Sequence, residues 1–130
     1  KRAGLIERGR SNMEKFQVVV AGGRDFANYP LLCKKLDHLF QNRQPTAIIS
    51  GLARGADTLG RQYALERDIQ VLEFPAHWNE LGKRAGMVRN REMLEAADAV
   101  VVFWDGVSKG TANMVEITQK AGLPLRIVRY

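Results

Sequence analysis

Residues 16–25 read FQVVVAGGRD. Phe16 to Ala21 is short, apolar and β-branched, the composition of a strand covered on both faces. Gly22-Gly23-Arg24-Asp25 then breaks the run. A buried strand that ends in a glycine turn and leads into a helical pattern is the opening unit of a βαβ fold. The helical pattern follows at Tyr29 to Asn42, with Leu32, Leu36, Leu39 and Phe40 at helical spacing.

The same alternation repeats to the end of the chain. Thr46 to Ser50 (TAIIS) reads as a second strand, and Asp57 to Arg67 as a second helix. Gln70 to Phe74 is a third strand stopped by Pro75. Asn79 to Ala97 contains a third helix, with breaks suggested at Gly82 and Gly86. Ala99 to Trp104 is a fourth strand. Thr111 to Ala121 is a helix capped by Gly122, and Leu125 to Val128 a last strand. Right-handed crossovers between such units give a mainly parallel sheet. The expected fold is therefore a doubly wound, Rossmann-like α/β sandwich of three layers. It has about five strands and helices on both faces, and residues 13–130 form one domain.

The chain has 130 residues, 45% of them hydrophobic and 26% charged, ordinary values for a globular domain. Its single cysteine, Cys33, cannot form an internal disulfide and is too little for a cysteine metal site. His38 and His77 lack ligand spacing, so no metal is expected. No apolar run reaches membrane-span length, and no secretory leader is recognisable. These features lead us to expect a cytoplasmic protein with no membrane partner. The net charge is +6, of which residues 1–12 contribute +3 through Lys1, Arg2, Arg8 and Arg10 against Glu7. We read Met13 as a natural start, with residues 1–12 a vector-derived prefix or a basic tail.

Three glycine-containing turns follow strands. They are Gly22 to Asp25, Ser50 to Asp57 (SGLARGAD) and Asp105 to Thr111 (DGVSKGT). After parallel strands all three fall on one edge of the sheet. Glycine lets backbone N–H groups face a ligand, and a helix N-terminus behind the turn adds positive potential. Arg24, Arg54 and Lys109 add cations suited to phosphate. Each glycine alone is explained by a tight turn; their coincidence points to a ligand site.

Asp57 reads equally as an N-cap or as a ribose-hydroxyl acceptor, and Asp25 as a residue that orders its loop. In Phe74 to Trp78 (FPAHW), Trp78 either closes the core or stacks on a base, and His77 is structural or an acid–base group. Lys83 to Arg91 is the densest basic stretch, and within it Arg89 and Asn90 suit a phosphate and a base.

These segments together resemble the SLOG superfamily, in particular its YspA-like branch. The similar stretches are AGGRDF (21–26), SGLARGAD (50–57), FPAHW (74–78), GKRAGMVRNREM (82–93) and DAVVVFWDGVSKGT (98–111). The resemblance implies a nucleotide-derivative site. With Ser50, His77 and Trp78 added from the reading of the residues themselves, its residues would be Gly22, Gly23, Arg24, Asp25, Ser50, Gly51, Arg54, Gly55, Asp57, His77, Trp78, Arg89, Asn90, Gly106, Lys109, Gly110 and Thr111. Three functions follow as expectations. The first is sensing or carrying a nucleotide derivative such as an ADP-ribose or NAD-related molecule, with no cofactor required. The second is nucleotide N-glycosidic hydrolysis, as in the Lonely-guy members, with Glu116 and Arg89 catalytic. The third is single-stranded nucleic-acid binding, as in DprA; it is disfavoured because the domain outside residues 1–12 is only +3. The Lonely-guy pattern P-G-G-x-G-T-x-x-E is incomplete here: ahead of Gly110-Thr111 the chain has Asp105-Gly106-Val107 and no Pro-Gly-Gly, and Met114 stands where the glutamate belongs. A homo-oligomer is compatible with all three.

Overall fold

The computed structural model describes residues 14–130, so the expectations for residues 1–12 and for a start at Met13 lie outside the described residues. The described residues form strands β1 (Gln17–Gly22), β2 (Ala47–Ser50), β3 (Gln70–Glu73), β4 (Ala99–Trp104) and β5 (Leu125–Arg129). Between them run α1 (Tyr29–Leu39), α2 (Ala56–Glu66), α3 (Trp78–Leu81), α4 (Ala85–Ala96) and α5 (Lys109–Ala121). All pairings are parallel, in the order β3-β2-β1-β4-β5. This is the doubly wound arrangement expected.

The two-residue period of β1 builds both cores. Val18 and Val20 face the layer of α1 and α2, against Leu32, Leu36 and Tyr63. Val19 and Ala21 face the layer of α4 and α5, against Met93, Met114 and Val115. A strand flanked in this way has no solvated side, which is why it reads as an unbroken apolar run.

Local chemistry sets the helix ends. The Asn28 side chain accepts the Leu31 N–H at 3.1 Å and starts α1 beside Pro30. Gly122 takes the left-handed conformation (φ 73°) that closes α5. The expected third helix is broken at Gly82 (φ 61°), which separates α3 from a 3-10 turn (Gly82–Arg84) that enters α4, but not at Gly86, which lies inside the unbroken first turn of α4. The expected end of the first helix at Asn42 moves back to Leu39, because residues 41–43 form bends. Among the described residues no helix is long and apolar enough to cross a membrane.

The strand order reverses between β1 and β4. In open α/β sheets a crevice forms at that point, beyond the carboxyl ends of the strands. Register brings Gly22 opposite Phe103, Ser50 opposite Glu73 and Trp104 opposite Arg129. The turns that follow these residues therefore share one edge.

Candidate functional site

A cleft of about 590 Å³ opens at that edge. The end of β1 and the turn after it contribute Gly22, Arg24 and Asp25, and the turn before α2 with that helix's first turn contributes Ala53, Arg54 and Asp57. Trp78, Lys83, Met87, Arg89 and Asn90 come from α3 to α4, and Asp105 and Ser108 to Met114 from the start of α5.

Close backbone packing holds the first two turns together. Gly23 O accepts the N–H groups of Phe26 (3.3 Å) and Ala56 (3.1 Å). Gly55 has φ 86°, and a Cβ there would strike Gly23 O. Glycine is needed at that position for conformation and for space alike. Beneath the second turn, Ser50 is fully buried; its Oγ donates to Asp57 O at 2.9 Å and accepts Leu52 N–H at 3.2 Å.

Asp57 is the only carboxylate among the described buried residues. Its Oδ2 accepts Ala53 N–H at 3.3 Å. Burial raises its pKa from the ordinary 3.8 to about 6, against the opposing pull of Arg89, the Ala53 and Gly22 amides, and Arg24. Arg89 donates from Nη1 to Gly51 O at 2.7 Å and from Nε to Asn90 Oδ1 at 3.1 Å. Burial lowers the Arg89 pKa, Asp57 raises it, and Arg24 lowers it further. A Cβ on Gly51 would meet both the Arg89 guanidinium and Asp57 Oδ2, so this glycine leaves room for the pair. Asn90 is buried, and its Nδ2 donates to Gly110 O (3.3 Å) and Asn113 Oδ1 (3.0 Å). It thereby ties α4 to the N-terminus of α5.

That N-terminus is open. Ser108 precedes α5 without a side-chain cap, and no acidic residue lies in the first turn. The unsatisfied N–H groups and the helix dipole therefore present positive potential to the cleft. The preceding turn is ordered by Asp105, whose Oδ1 accepts the Val107 and Ser108 amides at 2.8 Å each. These bonds hold the Asp105 carboxyl below its ordinary range.

The structure gathers eleven of the expected ligand residues around the cleft: Gly22, Arg24, Asp25, Arg54, Asp57, Trp78, Arg89, Asn90, Lys109, Gly110 and Thr111. Gly51 lines an adjoining recess. Ser50, Gly23 and Gly55 shape the turns from beneath. Gly106 instead makes room for the Arg129 guanidinium. His77 faces a separate groove with Glu92 and Glu95. Glu116 does not line the cleft; it is exposed and pairs with Lys120 at 3.4 Å. Met87, Asn113 and Asp105 line the cleft without being singled out by the sequence reading. Helical phase is the signal that finds two of them. Met87 lies three residues before Asn90 and Asn113 three after Gly110, so each shares a face with an expected residue.

Three comparisons bear on this geometry. The family model described as "YspA, cpYpsA-related SLOG family" matches residues 16–80. The Gene 61 protein of Mycobacterium phage D29 is 31% identical over 116 residues, covering 84% of this chain and 93% of that protein. The X-ray structure of DNA processing protein A (DprA) from Streptococcus pneumoniae superposes with a TM-score of 0.67 at 19% identity. That match covers 87% of this chain and half of the DprA chain, and at this identity the likeness concerns the fold alone.

Proposed function

The chain belongs to the YspA, cpYpsA-related SLOG family, and from that premise we propose that its cleft binds a nucleotide or nucleotide-derived ligand, in the class of ADP-ribose and NAD-related molecules, as a sensor or carrier. One observation carries this reading: an uncapped helix N-terminus, basic side chains and an exposed aromatic converge at the strand-order reversal. Backbone N–H groups of α5 with Lys109 and Arg89 suit a phosphate. Trp78 and Met87, 48% and 54% exposed, supply an apolar wall for a base. Asp57, which lines the cleft, offers an acceptor for a sugar hydroxyl.

Binding is favoured over hydrolysis by the position of Glu116. It points to solvent beside Lys120, while the buried Met114 occupies the cleft side of the helix. The test is calorimetric titration of AMP, NAD and ADP-ribose, with chromatography of the mixtures. Saturable binding without released base or ribose phosphate is expected. Arg89→Ala should weaken binding roughly 10- to 100-fold, the effect of losing a charge-assisted phosphate contact. No binding of any of the three at millimolar concentration would sink the reading, and released products would replace it with hydrolysis.

A further inference from the structure

Beside the main cleft lies a second recess of about 490 Å³, walled by Leu52 of the turn after β2 and by Pro75 and Ala76 after β3. Arg24, Ala53, Arg54, Trp78 and Arg89 line both spaces, so the two adjoin along a partition whose charged members are all arginines. Each space is within the roughly 300–1,000 Å³ usual for small-molecule sites. Their chemistry differs. The main cleft carries Asp25, Asp57 and Asp105 among its lining residues, whereas among the described residues no carboxylate lines the recess.

The partition is a concentration of positive charge. Among the described residues, neither Arg24 nor Arg54 makes an ion pair. Arg89 is half-buried and is repelled by Arg24, with Asp57 as its counter-charge. An anion with more than one negative charge would relieve that repulsion, and guanidinium forks are matched to phosphate oxygens. The recess also has a shaped wall. Leu52 lies in the left-handed region (φ 62°), an arrangement that L side chains adopt rarely and that concentrates at functional sites. Ser50 Oγ holds it there through the Leu52 N–H.

The geometry points to a two-ended ligand, with a diphosphate shared between the α5 N-terminus and the arginine partition through Arg89, which lines both spaces, one ring-bearing end in the main cleft and a second in the recess beside Leu52 and Ala76. This inference rests on the nucleotide-binding reading and narrows it. A mononucleotide fills the cleft and leaves the recess empty, whereas two sugar-bearing ends joined by a diphosphate use both.

Ala76 separates the cases, because it lines the recess and not the main cleft. We would titrate the full chain and Ala76→Leu with AMP, ribose 5-phosphate and ADP-ribose. In the unaltered protein ADP-ribose should bind at least tenfold more tightly than either half. In Ala76→Leu that advantage should shrink to about twofold while AMP affinity stays unchanged. Ala76→Val, a smaller intrusion, should fall between the two and guards against misfolding of the leucine variant. Equal affinity for AMP and ADP-ribose in the unaltered protein overturns the two-ended ligand and leaves nucleotide binding standing. So does a variant that weakens both ligands alike. Failure of all three ligands to bind overturns both.

Discussion

Asp57 concentrates the electrostatic tension of the cleft in one side chain. It is 4% exposed, and its partners recover only part of the solvation it has lost. The folded protein therefore holds the Asp57 proton more tightly than the unfolded chain does. The neutral acid's contribution to stability is complete below pH ~4 and disappears as the pH rises through about 6. The difference between 3.8 and about 6 corresponds to ~3 kcal/mol at neutral pH. Asp57→Asn carries no titrating group. In urea unfolding at pH 4 and pH 7, the unaltered protein should lose ~2 kcal/mol more than the variant between the two conditions, because the unfolded aspartate is already half ionised at pH 4. Parallel losses would mean that Asp57 ionises without penalty. The consequence for binding is direct: at neutral pH the carboxylate is charged and under-solvated, so a hydroxyl donated by a ligand is worth more to it than to an exposed aspartate.

At the level of elements, the last strand does more than complete the sheet. Tyr130, which follows β5, donates from Oη to Asp25 Oδ1 at 2.6 Å, and its ring packs on Phe26 at 4.8 Å. The hydroxyl occupies the space that a Cβ on Gly23 would need. Arg129 fills the corresponding space at Gly106 and donates to Asp105 O at 3.3 Å. One edge strand thus braces two of the turns around the cleft. Tyr130→Phe should raise amide exchange at Gly23 and Phe26 about fivefold, the worth of one exposed hydrogen bond, and leave Val19 and Val102 unchanged. Uniform acceleration would show a general loss of stability instead. This brace is not legible in the sequence, because it depends on the register between β4 and β5. The break at Gly82 is legible, and so is the position of Glu116. Two residues along a helix turn the side chain by ~200°, so a glutamate two positions from Met114 must face away from whatever Met114 faces.

Across the whole molecule, the apolar β-branched runs and the Gly-containing turns behind them determine the topology. Each strand needs two covering layers, and with five strands, too few to close a β/α barrel, a doubly wound sheet supplies them from alternating elements. The cleft's location follows from that topology, whereas its partition and its recess follow from side-chain placement that no local pattern encodes.

Charge is the remaining property at this scale, and it separates two sources of affinity. The +6 of the chain is shared equally between residues 1–12 and the remainder. A nucleic-acid strand samples the whole molecule, but a buried nucleotide samples only the cleft. The main cleft sets five basic against three acidic side chains, and the one exposed aromatic within it cannot form a stacking track for several bases. Affinity for single-stranded nucleic acid should therefore reside mainly in the basic segment. Removing residues 1–12 takes away four cations, and each phosphate contact steepens the log–log salt dependence by ~0.7 for single strands. The truncated chain should show a slope shallower by up to ~3 in oligonucleotide titrations between 50 and 200 mM salt. Its affinity for ADP-ribose should stay within about twofold, because the ligand groups proposed here all lie beyond Met13. A truncated chain that keeps both its oligonucleotide affinity and its salt slope would place the nucleic-acid surface on the α/β domain itself. It would then make Arg24, Arg54 and Arg89 candidates for phosphate-backbone contacts.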